Sequence, residues 1–146
     1  MSDVGNMVRC YFKRTAEFCI EGINQKYPMK NQTFSRRLGF AVRGVRCAWR
    51  GEKSFRQQAV VALGILFFLF WRRPDMVWWA LLLMNCGLVL AAELFNTALE
   101  HALDHLSPER HPAIQVAKDC GAGAVLLLSL TGVCVFIAFL VSTWPG

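Results

Sequence analysis

The chain has 146 residues, of which 55% are hydrophobic and 18% charged, and a net charge of +6. An ordinary soluble domain carries about 25% charge, and a protein this small has too much surface for its volume to hide so many apolar side chains from water. The positive charge argues against nucleic-acid binding through its distribution: twelve of the sixteen Lys and Arg lie at or before Arg56, ahead of the apolar stretches, and no recognition motif accompanies them. A basic segment preceding apolar spans is what the positive-inside bias produces, and anionic lipid headgroups attract it.

In residues 1–33, Val8, Phe12, Cys19 and Ile23 recur at roughly helical spacing until Tyr27-Pro28 breaks the pattern. We read a short amphipathic helix and a linker, an N-terminal extension with no chemistry assigned to it. A cleavable signal peptide is not expected, because the first apolar run begins only after residue 56. Residues 34–146 form the membrane-integral domain.

Phe34, Leu38, Ala41, Val45, Ala48 and Trp49 share one helical face, with Arg36, Arg37, Arg43 and Arg50 on the others. Such a basic amphipathic helix suits the membrane interface; packing on a soluble core is the plainer alternative. A first span is predicted from about Gln57 to Trp71, short against the roughly twenty residues a bilayer needs, with Arg56 and Arg72 able to snorkel at its ends. Arg72-Arg73-Pro74-Asp75 reads as a tight turn. The second span starts near Met76, with Trp78 and Trp79 as interfacial aromatics, stays apolar to Ala92 and remains helical to about Leu106. The third runs from about Ala117 to Trp144. The fold class is therefore all-α, an interfacial helix plus three transmembrane helices, with the N-terminus inside and the C-terminus outside. Six cysteines without C-x-x-C pairs or zinc spacing read as structural or incidental, and His101, His105 and His111 read as loop residues rather than ligands.

The informative polar residues converge at one depth. Glu93, Asn96, Glu100 and Asp104 are spaced 3, 4 and 4 apart and line one stripe of the second helix. Glu93 lies 17 residues past Met76, or roughly 26 Å along the axis, just inside a hydrocarbon core about 30 Å thick. Glu52, Arg56 and the Lys118-Asp119 pair are expected at the same level from the other segments. Taken singly, these residues have plain explanations. Glu93 could be an interhelical hydrogen-bonding group, Asp104 a solvated helix-end charge, and Lys118-Asp119 the mark of where a span begins. Together, clustered carboxylates call for a cation, and hard oxygen ligands favour Mg²⁺. A magnesium–nucleotide site is compatible with this layer without being required by it.

These residues resemble the bacterial membrane-integral diacylglycerol kinase and undecaprenol kinase family. The matching runs are Gly51-Glu-Lys-Ser-Phe-Arg-Gln57, Ala92-Glu-Leu-Phe-Asn-Thr-Ala-Leu-Glu100, Asp104, His111-Pro112 and Ala117-Lys-Asp-Cys-Gly-Ala-Gly-Ala-Val125. The resemblance covers residues 34–146. It implies a homotrimer in the bacterial cytoplasmic (inner) membrane that transfers the γ-phosphoryl group of ATP to a lipid alcohol, with the active site at the cytoplasmic face. By motif, Glu93 would be the general base, Glu52 and Glu100 the magnesium ligands, and Asn96, Asp104, Lys118 and Asp119 the nucleotide and phosphate site; Arg56 matches the family's arginine after Phe. Gly121-Ala-Gly123 follows no strand and reads as small residues permitting close helix packing. Phe-Arg-Gln and Glu-Arg-His-Pro lean towards diacylglycerol kinase, while Gly-Ala-Gly-Ala leans towards undecaprenol kinase, and Gln58 replaces a frequent Glu. The expected reaction is phosphorylation of 1,2-diacylglycerol to phosphatidic acid, with undecaprenol as the alternative acceptor. A small cation transporter is a third reading, which would need carboxylates near the bilayer midplane.

Overall fold

The computed structural model describes residues 33–106 and 111–144, so the reading of residues 1–32 as a helix and linker lies outside the described residues. Four helices follow in order: α1 Phe34–Gly51, α2 Lys53–Arg72, α3 Met76–Leu106 and α4 Pro112–Thr143, with no strand among the described residues.

Helix α1 forms a compact unit apart from the other three. The backbone N–H groups of Arg36 and Arg37 donate to Thr33 O at 3.0 and 3.2 Å, closing its first turn. It ends where Glu52 adopts an extended conformation, its N–H still donating to Ala48 O at 2.8 Å. On the predicted apolar face Ala48 is buried, whereas Phe34, Leu38, Val45 and Trp49 are between 43% and 78% exposed.

Helices α2, α3 and α4 are each long and apolar enough to cross a membrane. The 20 residues of α2 give about 30 Å of helix: the helix begins at Lys53, a turn before the apolar stretch that hydropathy marks from Gln57. Lys53, Ser54 and Arg56 are too polar to count as lipid-solvated, yet nothing in them prevents helix. The 31 residues of α3 amount to about 46 Å, so its C-terminal turns extend beyond the hydrocarbon. His101 and His105 therefore stand on this helix and not in a loop. His111 lies just before α4, where its Nδ1 accepts the Ala113 N–H at 3.2 Å, with Pro112 opening the helix.

Between α2 and α3, Arg73 takes a left-handed conformation (φ 47°) and its N–H donates to Leu69 O at 2.8 Å. This ends α2 in the αL manner, at a position where glycine is the commoner choice. Asp75 O then accepts the Trp78 N–H at 3.0 Å and starts α3.

The solvation pattern of this three-helix unit is inverted relative to a water-soluble protein. Phe67, Phe70 and Leu127 are 63–74% exposed while Glu93 is 4% and Thr97 7% exposed. Burial of polar groups beneath an apolar exterior is the arrangement lipid selects; this is a membrane protein. The core sits at the Arg72 end, where Leu69, Leu82 and Phe139 are fully buried among Phe68, Trp78, Trp79 and Phe136. Phe68 meets Phe139 edge-on at 6.0 Å and Phe70 meets Trp79 at 4.9 Å, geometries that favour aromatic pairs.

A single register runs the length of the bundle. Helices α2 and α4 are parallel, and Gln58–Ser129, Phe68–Phe139 and Arg72–Thr143 are all pairs 71 residues apart. Gln58 Nε2 donates to Ser129 Oγ at 3.3 Å, and the Arg72 guanidinium donates to Thr143 O at 2.6 Å. The antiparallel α3 and α4 approach closely at two glycines. A Cβ at Gly121 would overlap Asn96 Oδ1 and crowd Leu99, and one at Gly132 would overlap Asn85 Oδ1. Gly121 thus permits close packing, whereas Gly123 has open space around it. Asn85 also corrects the expectation of a wholly apolar second span: an amide stands in mid-helix, accommodated by the glycine opposite.

Candidate active site

The polar stripe of α3 lies at the end of the bundle opposite the aromatic core, where α2 and α4 begin. Its four side chains fall on one face because 3- and 4-residue steps return to the same side of a helix. Buried Glu93 accepts a hydrogen bond at Oε1 from the Ser54 hydroxyl at 2.6 Å. This is the short distance of a hydroxyl bonded to a carboxylate, and Ser54 is the only hydrogen-bond partner of Glu93 among the described residues. Ser54 and Gln58 are one turn apart on α2 and turn their polar ends towards α3 and α4 respectively.

One turn along α3, Asn96 Nδ2 donates to Glu100 Oε1 at 2.7 Å. Its other end is more informative. Asn96 Oδ1 is buried without a hydrogen-bond partner, held against the Gly121 backbone. An unsatisfied buried carbonyl oxygen costs on the order of 1–3 kcal/mol, and such orphans call for an explanation such as an ion or a ligand. Beyond Glu100, Asp104 pairs with the Lys118 ammonium of α4, the lysine being 27% and the aspartate 47% exposed.

The adjacent residues Lys118 and Asp119 diverge, because consecutive helical positions point about 100° apart. Lys118 turns in towards α3, whereas Asp119 is exposed and accepts from Gln115 Nε2 at 2.9 Å. Arg56 is exposed on α2, next to buried Phe55. Glu52 belongs to the α1 unit, half-buried at the residue that ends that helix. The three-helix unit therefore brings together Ser54 with Glu93, Asn96 with Glu100, and Asp104 with Lys118. Ser54, a lone serine at a helix start, carries no signal of its own in the sequence, whereas the buried Thr97 is legible as one turn after Glu93.

No three His, Cys, Asp or Glu side chains converge on one point among the described residues. At this level the Glu100 carboxylate is the hard oxygen donor of the kind Mg²⁺ takes, usually one or two carboxylates with water and substrate phosphates completing the shell, whereas Asn96 Oδ1 is packed against Gly121.

Comparison with known proteins identifies the family. The family model for prokaryotic diacylglycerol kinase matches residues 39–140. A diacylglycerol kinase of Helicobacter pylori is 34% identical over 105 residues, covering 70% of this chain and 82% of the relative. One from Pseudomonas aeruginosa is 38% identical over 104 residues, covering 66% and 82%. An undecaprenol kinase of Bacillus subtilis is 32% identical over 90 residues, covering 62% and 73%. The matched segment contains every element of the polar end, and the chain belongs to the prokaryotic diacylglycerol kinase family: it is a membrane lipid kinase, with ATP as co-substrate.

Proposed function

We propose that the protein phosphorylates 1,2-diacylglycerol to phosphatidic acid at the cytoplasmic face of the bacterial inner membrane, using MgATP. The observation that carries this reading is the buried Glu93 carboxylate at the polar end of the bundle, with one oxygen held by Ser54. A lipid hydroxyl resides at headgroup depth, the depth of Glu93 along α3. Glu93 accepts the proton of that hydroxyl as its oxygen attacks Pγ. The new O–Pγ bond forms as the bond from Pγ to the β-bridging oxygen breaks, leaving ADP and a phosphomonoester. Phosphoryl transfer asks mainly for positioning and charge neutralisation, and the other residues supply these. The Lys118 ammonium, oriented by Asp104, faces the phosphates, and Asn96 and Asp119 complete the nucleotide site. Arg56 offers a guanidinium to phosphate oxygens.

Glu100, supported by Asn96, holds the magnesium ion, and Glu52 enters as a second ligand by its motif. When bound, Mg²⁺ neutralises the charge on the transferring phosphoryl group. The extension of residues 1–33 lies outside the kinase domain, and α1 lays its apolar face on the membrane interface. The assembly is a homotrimer in which neighbouring subunits complete one another's sites, because three thin helices cannot by themselves enclose so many polar groups. Light scattering in detergent tests this: an active monomer contradicts it.

A second acceptor, undecaprenol, is favoured by the Gly121-Ala122-Gly123-Ala124 run and by the likeness to the B. subtilis enzyme. Incubating the purified protein with γ-labelled ATP and a panel of lipid alcohols decides between them. We expect label in phosphatidic acid; transfer to undecaprenol alone would reassign the substrate, and transfer to no lipid would overturn the reading.

A further inference from the structure

The Ser54–Glu93 pair does more than satisfy a buried carboxylate. Ser54 is the second residue of α2, and its hydroxyl reaches across to Glu93 of α3 at 2.6 Å. It engages Oε1 alone, and no other described residue bonds to the carboxylate, so Oε2 is uncommitted. A glutamate side chain has several rotatable bonds and loses considerable rotamer freedom when fixed. Here the fixing group is a short donor on a different helix. We propose that Ser54 is a positioning residue for the lipid kinase reaction: its hydroxyl holds Oε1 so that Oε2 is presented to the acceptor hydroxyl of the lipid.

Two observations support the assignment. Glu93 is buried, and the exposed Ser54 is the one described side chain that donates to its carboxylate. Gln58, on the same side of α2 one turn later, is tied to Ser129 at 3.3 Å, which anchors the start of α2 independently of Ser54. The Ser54 hydroxyl bonds the carboxylate as an alcohol bonds a general base. On this assignment the lipid hydroxyl makes the same type of bond to the second oxygen. Misplacing a reacting group by about 1 Å can cost 10²-fold in rate; loss of one of several restraints on Glu93 is expected to cost less.

The inference rests on Glu93 being the base, and the test separates the two claims. The full-length protein is prepared as wild type, Ser54→Ala, Ser54→Thr, Glu93→Gln and the Ser54→Ala/Glu93→Gln double variant. For each, kcat and KM for ATP are measured with diacylglycerol in mixed micelles. Alanine is a better helix former than serine, so Ser54→Ala retains α2. The expected result is a fall in kcat of about tenfold for Ser54→Ala, KM for ATP within about twofold, and recovery to at least about half of wild type in Ser54→Thr, which restores the hydroxyl. The double variant should be no slower than Glu93→Gln, since with the base gone there is nothing left to orient. Wild-type kcat in Ser54→Ala beside a disabled Glu93→Gln overturns the Ser54 role and leaves Glu93 in place. Losses that multiply in the double variant also overturn it, because Ser54 would then act through another group. Full turnover in Glu93→Gln removes the base and the positioning role together.

Discussion

The two ends of the three-helix bundle are held by different physics. At the Arg72 end, Leu69, Leu82 and Phe139 are closed off by aromatic rings, and the contacts are dispersion and edge-to-face packing. At the other end, Ser54, Glu93, Asn96, Glu100, Asp104 and Lys118 meet through hydrogen bonds and one ion pair, with a carbonyl oxygen left unsatisfied. Packing of the first kind is complete within the described chain. The second kind is not: the buried Asn96 Oδ1 accepts from no donor. The aromatic end stabilises the fold, and the polar end is where we propose that the reaction takes place.

The sharpest way to break this division is at Glu93. Glu93→Gln keeps the side-chain volume and still accepts the Ser54 hydroxyl, yet cannot take a proton. We expect kcat to fall by about 10²-fold or more, the range for a lost general base, with KM for ATP little changed and the folded oligomer retained. If instead Glu93 were only an interhelical tie, Glu93→Gln, which keeps the bond from Ser54, would retain wild-type kcat with its oligomer intact by size-exclusion chromatography.

Next in size are Glu100→Gln and Glu52→Gln. Removing one negative ligand weakens metal binding, and each variant should need roughly tenfold more Mg²⁺ to reach half-maximal rate, with a lower plateau. Magnesium titrations of initial rate check this; turnover and magnesium demand both at wild-type levels would take these residues out of the metal site.

The aromatic end should show the opposite profile. Phe139→Ala opens a cavity among Leu69, Leu82, Phe68 and Trp78, costing about 3 kcal/mol. Thermal inactivation should then come at a lower temperature, while kcat measured below that transition stays within about twofold. A large loss of kcat in a folded Phe139→Ala protein would mean that the two ends are coupled.

The smallest effect is expected at Gln58→Leu. An interhelical hydrogen bond within a membrane averages only about 0.6 kcal/mol, and the 3.3 Å Gln58–Ser129 contact is a long one. Stability should drop by little more than that in an unfolding titration, with activity nearly unchanged.

Much of this contrast is visible in the amino-acid order, and its gaps have physical causes. Hydropathy reports which residues lipid can solvate, so it found the three spans and placed Glu93 at their boundary. It does not report where hydrogen-bonded helix begins, which is why α2 starts at Lys53 and not at Gln57. The 3- and 4-residue spacing put Glu93, Asn96, Glu100 and Asp104 on one face because that periodicity is local. Which atoms meet across helices is not local. Nothing near Ser54 in sequence announces a carboxylate 39 residues away, and nothing near Gly132 announces the amide of Asn85. Lys118 and Asp119 look like one unit in sequence, yet the helical rotation between neighbours sends them to different partners.

The 71-residue register that ties Gln58 to Ser129, Phe68 to Phe139 and Arg72 to Thr143 has a consequence for how the chain can change in length. Deleting one residue within α4, between Ser129 and Phe139, would turn everything beyond it by about 100° and slide it by about 1.5 Å. The polar and aromatic ends would then demand incompatible settings of the same helix. An insertion or deletion is accordingly expected to be tolerated only outside the helices. Substitution, not length variation, is the route by which such a bundle can explore new lipid acceptors.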